Sequence, residues 1–366
     1  MRLLLFADLH LDGAFKWAGP ELARRRRQAL RDTLRNILTL SDEVDANALL
    51  CAGDLYEQER FTPDTREFLR REFGATHRPI FISPGNHDPF CPQSLYAQVA
   101  WSSNVTIFRE PHLAPVDLAE GLTLWGAAFD RPTRPAGFFD SGFRVDRGGV
   151  NLALFHGSER SALAAEIGGK SPHAPFDAAG IREAGLVHAF VGHYHQPRDA
   201  EALTYPGNPD PLTFGESGDR GAVIVDVDRD GSLRRKRRAV GVSQVHDVEV
   251  DASGSGGCQE ILDRAAVQLA GLHGVVRLTV TGEIAPGVDL DLDSLRRLPH
   301  HLDADPIVRT RFRVGYDLES IAREPTVRGR FVQDVLAAND LDEPDRQRIL
   351  ATGLRSLDGR DDLEVP

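Results

Sequence analysis

Cysteine is scarce in this chain, with 3 among 366 residues, and Cys51, Cys91 and Cys258 stand far apart. An odd, scattered set excludes a disulfide framework and a zinc-ribbon spacing, so a reducing cytoplasm is the expected compartment. Long apolar runs are lacking too: none approaches the roughly 18 residues of a membrane helix. The opening run Leu3 to Ala7 ends at Asp8, too short for a signal peptide, so neither a membrane span nor a secretory leader is expected. Basic charge is in deficit, 43 residues against 55 acidic ones, for a net charge of −12. Such a field repels nucleic acid, so a DNA-binding function needs a local positive surface. Lysine is confined to Lys16, Lys170 and Lys236; we read the arginine excess as compositional bias. No internal repeat is present at a period of about 20 to 50 residues, which excludes solenoids and propellers.

What remains is an ordinary globular composition. Hydrophobic residues make up 41%, and the length corresponds to about two domains. Short apolar runs end repeatedly in polar residues of one kind. Leu3 to Phe6 leads to Asp8 and His10, Ala48 to Cys51 to Asp54, and Ile80 to Ile82 to Asn86-His87-Asp88. Asn151 to Phe155 leads to His156, and Val187 to Val191 leads to His193 and His195. Runs this short read as buried strands. Leu30, Leu34, Ile37 and Leu38 mark a helix between the first two. Layered α/β proteins gather their ligand sites at such strand ends.

A hairpin is expected from Gly221 to Arg238, turning at Asp228 to Gly231. Beyond Val245 to Val250 and a glycine-serine stretch lies a smaller α/β pattern: a helix around Ile261 to Leu269, a strand Val275 to Val280, a helix near Leu292 to Leu298 and a strand Ile307 to Val314. The end is helical, with Val327, Phe331, Val332, Val335 and Leu336 in one stripe, a stop at Asn339, and a second helix from about Pro344 to Gly353.

Five pieces carry the chemistry: Asp8-Leu9-His10, Gly53-Asp54, Gly85-Asn86-His87-Asp88, His156-Gly157 and Gly192-His193-Tyr194-His195. Residues two apart in an extended segment point the same way, so Asp8 with His10, and His193 with His195, form same-side donor pairs. Imidazole, carboxylate and one amide suit divalent cations without thiolate. Seven candidate ligands (Asp8, His10, Asp54, Asn86, His156, His193 and His195) match two metals sharing a carboxylate better than one. Any one of them alone would more often be a hydrogen-bonded structural residue; the ordered set is the signal.

Together these pieces resemble the calcineurin-like metallophosphoesterases, and among them the bacterial SbcD/YhaO-type DNA repair nucleases. The finer resemblance rests on His173 to Phe176, Gly192 to Pro197, Tyr205 to Pro209, Phe214 to Glu216 and Arg220-Gly221. It implies a four-layer α/β/β/α sandwich followed by a small α/β capping domain and a helical tail, over residues 1–243, 244–316 and 317–366. It implies that Asp8, His10, Asp54 and His195 hold one metal and Asp54, Asn86, His156 and His193 the other, manganese in both cases, with His87 off the metals as catalytic residue. Asp88 would orient His87 or stabilise its own loop. The implied activity is DNA exonuclease or endonuclease action beside an SbcC-like, SMC-type ATPase docked on the tail. A small-molecule phosphodiesterase or phosphatase is the alternative, and a homodimer stays open.

Two arginine clusters could supply the local positive surface. Arg24 to Arg27 with Arg31 and Arg35 read as one face of the first helix, either solvated or phosphate-contacting, and Arg234 to Arg238 lie on the hairpin. Phe15 and Trp17 read as core packing rather than base-stacking residues.

Overall fold

Leu3, Leu4, Leu5 and Phe6 are fully buried, and alternate residues of this strand face different cores. Leu4 and Phe6 belong to a cluster with Leu30, Leu34 and Ile37, whereas Leu3 and Leu5 belong to one with Leu124, Leu152 and Leu154. A strand covered on both faces reads as continuously apolar, as this one does. The computed structural model describes residues 1–134, 136–163, 172–216 and 218–359. It divides into two compact units, Met1–Val245 and His246–Pro366.

The first unit holds two six-stranded sheets. One has the spatial order β12 (Leu233–Arg238), β11 (Ala222–Val227), β1 (Arg2–Phe6), β2 (Ala48–Cys51), β3 (Ile80–Ile82), β4 (Val105–Ile107). β1 to β4 are parallel, and β11 pairs antiparallel with β1 and with β12. The other has the order β5 (Ala114–Ala119), β6 (Leu122–Gly126), β7 (Val150–His156), β8 (His188–Gly192), β10 (Leu203–Tyr205), β9 (Arg198–Asp199), parallel from β6 to β10 with antiparallel edges.

Helices α1 (Pro20–Glu43) and α2 (Pro63–Ala75) cover the outer face of the first sheet. Each begins with proline at its first position, and Thr62 caps α2 by accepting from the Thr65 amide. The outer face of the second sheet is covered by Ile181 of α5 (Ala178–Glu183) and by Phe138 and Phe176. The layers are therefore α/β/β/α. Short helices α3 (Leu95–Gln98) and α4 (Arg160–Leu163) lie in connections.

The arginine clusters depart from expectation. Arg26 is not on the basic face: it lies on the buried stripe with Ala23 and Leu30. There it is 2% exposed and donates to Asp210 Oδ1 and the Pro211 carbonyl. Arg31 pairs with Asp64, and Arg35 with Asp32 and Glu72. In the hairpin, Arg235 and Arg237 turn back to donate to the carbonyls of Ala200 and Pro206. Arg234, Lys236 and Arg238 alternate outward. Phe15 is buried, and Trp17 donates to the Leu212 carbonyl and packs edge-on against Phe214.

The second unit carries a three-stranded sheet of β13 (Val245–Asp251), β14 (Val275–Ile284) and β15 (Ile307–Val314), with α6 (Cys258–Leu269) and α7 (Leu292–Arg296). Its core joins Val250, Ile261, Leu278 and Leu295. The tail helices α8 (Leu318–Ala322), α9 (Val327–Ala337) and α10 (Glu343–Leu357) form their own cluster of Ile321, Val332, Val335, Leu350 and Leu354. The α9 stripe is thus divided: Val332 and Val335 face inward, while Val327 and Leu336 are 76% and 45% exposed.

One buried histidine gives the first unit a pH response. His188 is 1% exposed, its Nε2 lies 2.9 Å from Thr204 Oγ1, and its Nδ1 has no partner. Burial, helped by the Arg235 charge, lowers its pKa to about 3. The folded state therefore keeps it neutral, while the unfolded chain takes up a proton below about pH 6.5. Stability present above that pH is lost as pH falls toward 3, by about 2 kcal/mol at pH 5. Denaturant melts of His188→Gln should show a flatter decline in stability between pH 7 and pH 5 than wild type. Identical slopes would contradict this.

Candidate metal centre

The expected ligands sit where the parallel strands end. Asp8 follows β1, Asp54 follows β2, Asn86 follows β3, His156 closes β7 and His193 follows β8. Beyond the strands the first two loops run on together, with the Asp8 amide donating to the Gly53 carbonyl at 3.0 Å and the His10 amide to that of Asp54 at 2.9 Å. Asp8, His10 and Asp54 adopt φ values of 53°, 49° and 51°, and His193 one of 109°. Left-handed backbone at four neighbouring functional side chains is strain that the sheets beneath must hold in place.

The seven side chains meet at one place. Asp8, His10 and His195 offer donor atoms within 4.8 Å of one another, as do Asp8, Asp54 and His156. Asn86 Oδ1 lies 3.0 Å from His156 Nε2 and 3.2 Å from His193 Nδ1. Asp54 Oδ2 lies 3.2 Å from His156 Nε2 and 3.7 Å from His10 Nε2, so Asp54 stands between the two halves. His87 joins from the rim: it is exposed, and its amide donates to Asp54 Oδ1 at 2.8 Å.

The close approach needs glycine. A Cβ on Gly53 would stand 2.7 Å from His156 Nδ1, and one on Gly85 or Gly192 2.8 Å from the same atom. That nitrogen faces the Ala52 carbonyl at 2.9 Å, which leaves Nε2 to the centre.

These groups are tightly coupled: burial lowers His156, but the Asp54 charge and hydrogen bond raise it to about 9. Burial pushes the Asp8 carboxyl up, and the neighbouring Asp54 charge adds to it. Burial acts on Asp54 in the same direction, but the imidazoles of His156, His10 and His87 overcome it and hold that carboxyl well below its usual range. Burial lowers His193 to about 2, helped by the His156 charge, so His193 is a neutral donor. His10 Nε2 is buried without a hydrogen-bond partner, beside two buried carboxylates. An orphaned ring nitrogen there, with oxygen and nitrogen donors and no thiolate, fits divalent cations.

Two carboxylates escaped the motif reading. Glu57 Oε1 lies 2.7 Å from His10 Nδ1, and Oε2 3.0 Å from His87 Nδ1. Glu216, known from sequence only as part of the resemblance, lies 2.7 Å from His195 Nδ1 and accepts from Asn208 and the Leu212 amide. Burial raises both carboxyls, but their histidine hydrogen bonds prevail and bring each to about 2. Asp88 turns away from His87. It accepts from the amides of Asp54, Leu55 and Gly85 and from the Tyr96 hydroxyl, which is the loop-stabilising role.

Strand-end carboxylates and imidazoles closing on one point define a metal-dependent hydrolase site. The calcineurin-like phosphoesterase family model matches residues 1–197, and the chain belongs to that family. The uncharacterized metallophosphoesterase YhaO of Bacillus subtilis (strain 168) is 24% identical over 237 residues, 60% of this chain and 56% of its own. The DNA double-strand break repair protein Mre11 of Methanopyrus kandleri is 27% identical over 264 residues, 63% of this chain and 55% of its own. The chain thus matches little more than half the length of these curated relatives. The crystal structure of TT1561 of Thermus thermophilus overlaps with a TM-score of 0.38 at 12% identity, covering 64% of this chain and 98% of that one. Among the described residues no helix is long and apolar enough to cross a membrane.

Proposed function

We propose that this protein is a cytoplasmic, manganese-dependent DNA nuclease, cutting phosphodiester bonds in repair or end processing beside an SbcC-like, SMC-type ATPase. The observation that carries the phosphodiesterase reading is the meeting of seven oxygen and nitrogen donors around Asp54. Asp8, His10, Asp54 and His195 would hold one ion, and Asp54, Asn86, His156 and His193 the other. Divalent ions held by these residues would supply Lewis acidity to the phosphoryl oxygens and would acidify an attacking water.

The chain's own groups do the rest. His87 also brings a ring nitrogen within 4.8 Å of donor atoms of His10 and Asp54, and its ring centroid lies 4.8 Å from that of His10; we assign it to the proton rather than to an ion. Burial lowers its pKa, but the hydrogen bond to Glu57 and the Asp54 and Asp88 charges raise it to about 9 when the centre holds no ion. That suits protonation of the departing sugar oxygen. Glu216 and the Ala52 carbonyl fix His195 and His156 in orientation.

DNA as substrate is supported by the kinship to a protein named for double-strand break repair. It is also supported by the second unit, which we assign as a capping domain over 244–316 with a partner-binding tail over 317–366. The exposed Val327 and Leu336 of α9 suit that docking. The alternative is a small-molecule phosphodiesterase of the same family. Salt separates the two. DNA binding through phosphate contacts should weaken steeply between low and physiological salt, whereas a small aryl phosphodiester's KM should barely move. A protein that hydrolyses a cyclic nucleotide and never cuts DNA under manganese would establish the alternative.

A further inference from the structure

We infer that His173 is a second catalytic histidine of this site, one whose Nε2–H donates to a non-bridging oxygen of the scissile phosphodiester. The inference rests on the metallophosphoesterase reading and adds a residue to it. His173 lies between the proposed ligands His156 and His193 in the chain, at the head of His173-Ala174-Pro175-Phe176. Its ring packs edge-on against His193, with centroids 5.5 Å apart, and beside Phe129 at 6.4 Å. The charges of His156, Asp54 and His87 all act on it, which puts it at the edge of the centre. His87 stands by His10, so the two rings flank the centre at different ligands.

The two nitrogens of His173 have different surroundings. Nδ1 is buried and has no hydrogen-bond partner among the described residues. The ring as a whole is half-buried, and Nε2 is its open atom, making no hydrogen bond to the described residues. In a neutral imidazole one nitrogen carries the hydrogen. On Nδ1 it would be a buried donor with nothing to accept it, so it sits on Nε2. In the protonated ring both nitrogens carry one. Either way the open edge has an N–H to give.

The backbone aims this ring without help from the side chain. The His173 amide donates to Ser158 Oγ at 3.1 Å, and the His173 carbonyl accepts from the Ser158 amide at 2.8 Å. Ser158 stands two residues beyond His156, so one segment places a proposed ligand and His173 together. The Ala174 amide donates to the Arg134 carbonyl at 2.7 Å, and Ala174 adopts a φ of 42°. Left-handed backbone at an alanine is strain that such pinning must hold. The Phe176 amide returns to the Ser158 carbonyl at 3.0 Å. A half-buried imidazole that bonds to nothing in the described chain, on a backbone fixed this firmly, serves a group from outside it.

The surroundings choose that group. Beside the ring lie donors that suit divalent cations, and a centre loaded with cations draws anions. The anion that reaches a phosphodiesterase centre is its substrate, with two non-bridging oxygens on the scissile phosphorus. Those oxygens stay on phosphorus while charge around it redistributes, and a fixed N–H there stabilises the transition state. The proton from His87 goes instead to the oxygen that leaves.

The test compares full-length wild type with His173→Ala, His173→Phe and His173→Gln. Manganese binding is read by calorimetry. Hydrolysis is read on bis(p-nitrophenyl) phosphate and on the p-nitrophenyl ester of thymidine 5′-phosphate. His173→Ala should keep manganese affinity and lose about 10- to 100-fold in kcat/KM, equally on both esters, as for a lost hydrogen bond to a charged group. His173→Phe keeps a ring against Phe129 and His193 but has no N–H, and should match Ala. His173→Gln keeps an N–H at similar reach and should fall between Ala and wild type. If Ala melts early, Phe and Gln carry the comparison, and equal rates for these two overturn the inference. Weaker manganese binding in Ala or Phe would make His173 a support of the metal ligands and overturn it. A loss confined to the thymidine ester would make it a reader of sugar or base, and also overturn it. An active wild type whose His173→Ala keeps full kcat/KM overturns this inference alone. A wild type that binds no manganese, or hydrolyses neither ester, removes the metallophosphoesterase reading and the inference with it.

Discussion

Asp54→Ala should abolish phosphodiester hydrolysis and lower the divalent-metal content of the purified protein. Asp54 is 2% exposed and is the residue that faces both halves of the centre. Its Oδ2 lies between His156 and His10, and its Oδ1 accepts the His87 amide. Removing it takes a full negative charge from a pocket suited to cations, and frees the loop that carries His87. Asp8, the other carboxylate of the proposed ligand set, accepts the His193 amide at 3.0 and 3.2 Å. Asp54→Asn keeps the volume and an acceptor for the His87 amide but loses the charge, and should retain the fold while losing activity by orders of magnitude. Elemental analysis of the purified variants, read beside their hydrolysis rates, makes the comparison. Full activity in Asp54→Ala, or in wild type after prolonged chelation, would defeat the dinuclear reading.

His87→Ala should separate binding from chemistry. The variant keeps the amide that donates to Asp54, so the loop is held as before. It loses the imidazole at the rim and nothing from the seven proposed ligands. Turnover should fall about 10²- to 10⁴-fold, the range for a lost general acid, with both ions and DNA affinity retained. The pH profile adds a second readout. Glu57 and the neighbouring carboxylates overcome burial and raise His87 to about 9, so wild-type kcat should decline as pH rises through its deprotonation. Two cations nearby lower that value, which places the alkaline limb at or below about pH 9. The limb should be missing in His87→Ala. Loss of one ion from this variant would instead make His87 a ligand.

How much of this was legible in the sequence follows from how each feature is built. β1, β2, β3, β7 and β8 are buried on both faces, so each shows as a short, mainly apolar run leading to its candidate site residue. β5 could not be read, because it is half exposed and contains Pro115 and Asp117. α2 buries only Thr65, Phe68, Leu69 and Phe73 among many charges, too thin a stripe to stand out. Arg26 was misplaced by residue type, although its spacing from Ala23 and Leu30 puts it on the apolar stripe. Asp8, His10, Asp54, Asn86, His156, His193 and His195 were visible because each stands next to a strand end. Glu57 was not, since its role comes from His10, 47 residues away, and from His87, 30 residues away. Only the folded chain brings those rings to one carboxylate.

The place of β1 in its sheet has a consequence for the order in which the molecule is made. The earliest of these strands to be synthesised lies in the middle, with β2 on one side and β11 on the other, where Leu5 faces Val223 and Arg2 faces Asp226. The Met1 nitrogen donates to the Val227 carbonyl, 226 residues away in the chain. A nascent chain leaving the ribosome thus holds Asp8 and His10 early but cannot complete the sheet behind them until β11 has emerged. The Asp8 carboxylate finds the His193 amide across 185 residues of intervening chain. Closing such a span adds little to the equilibrium cost, because loop entropy grows slowly with length. It weighs on the rate, since distant pairings must be found before they are rewarded. A fragment ending at residue 197, where the family match stops, would lack β11 and expose β1 as an unpaired apolar edge. Assembly of the strand-end side chains around Asp54 is therefore a late event in the making of this polypeptide, and until then the unfinished chain carries an apolar strand edge of the kind that favours self-association.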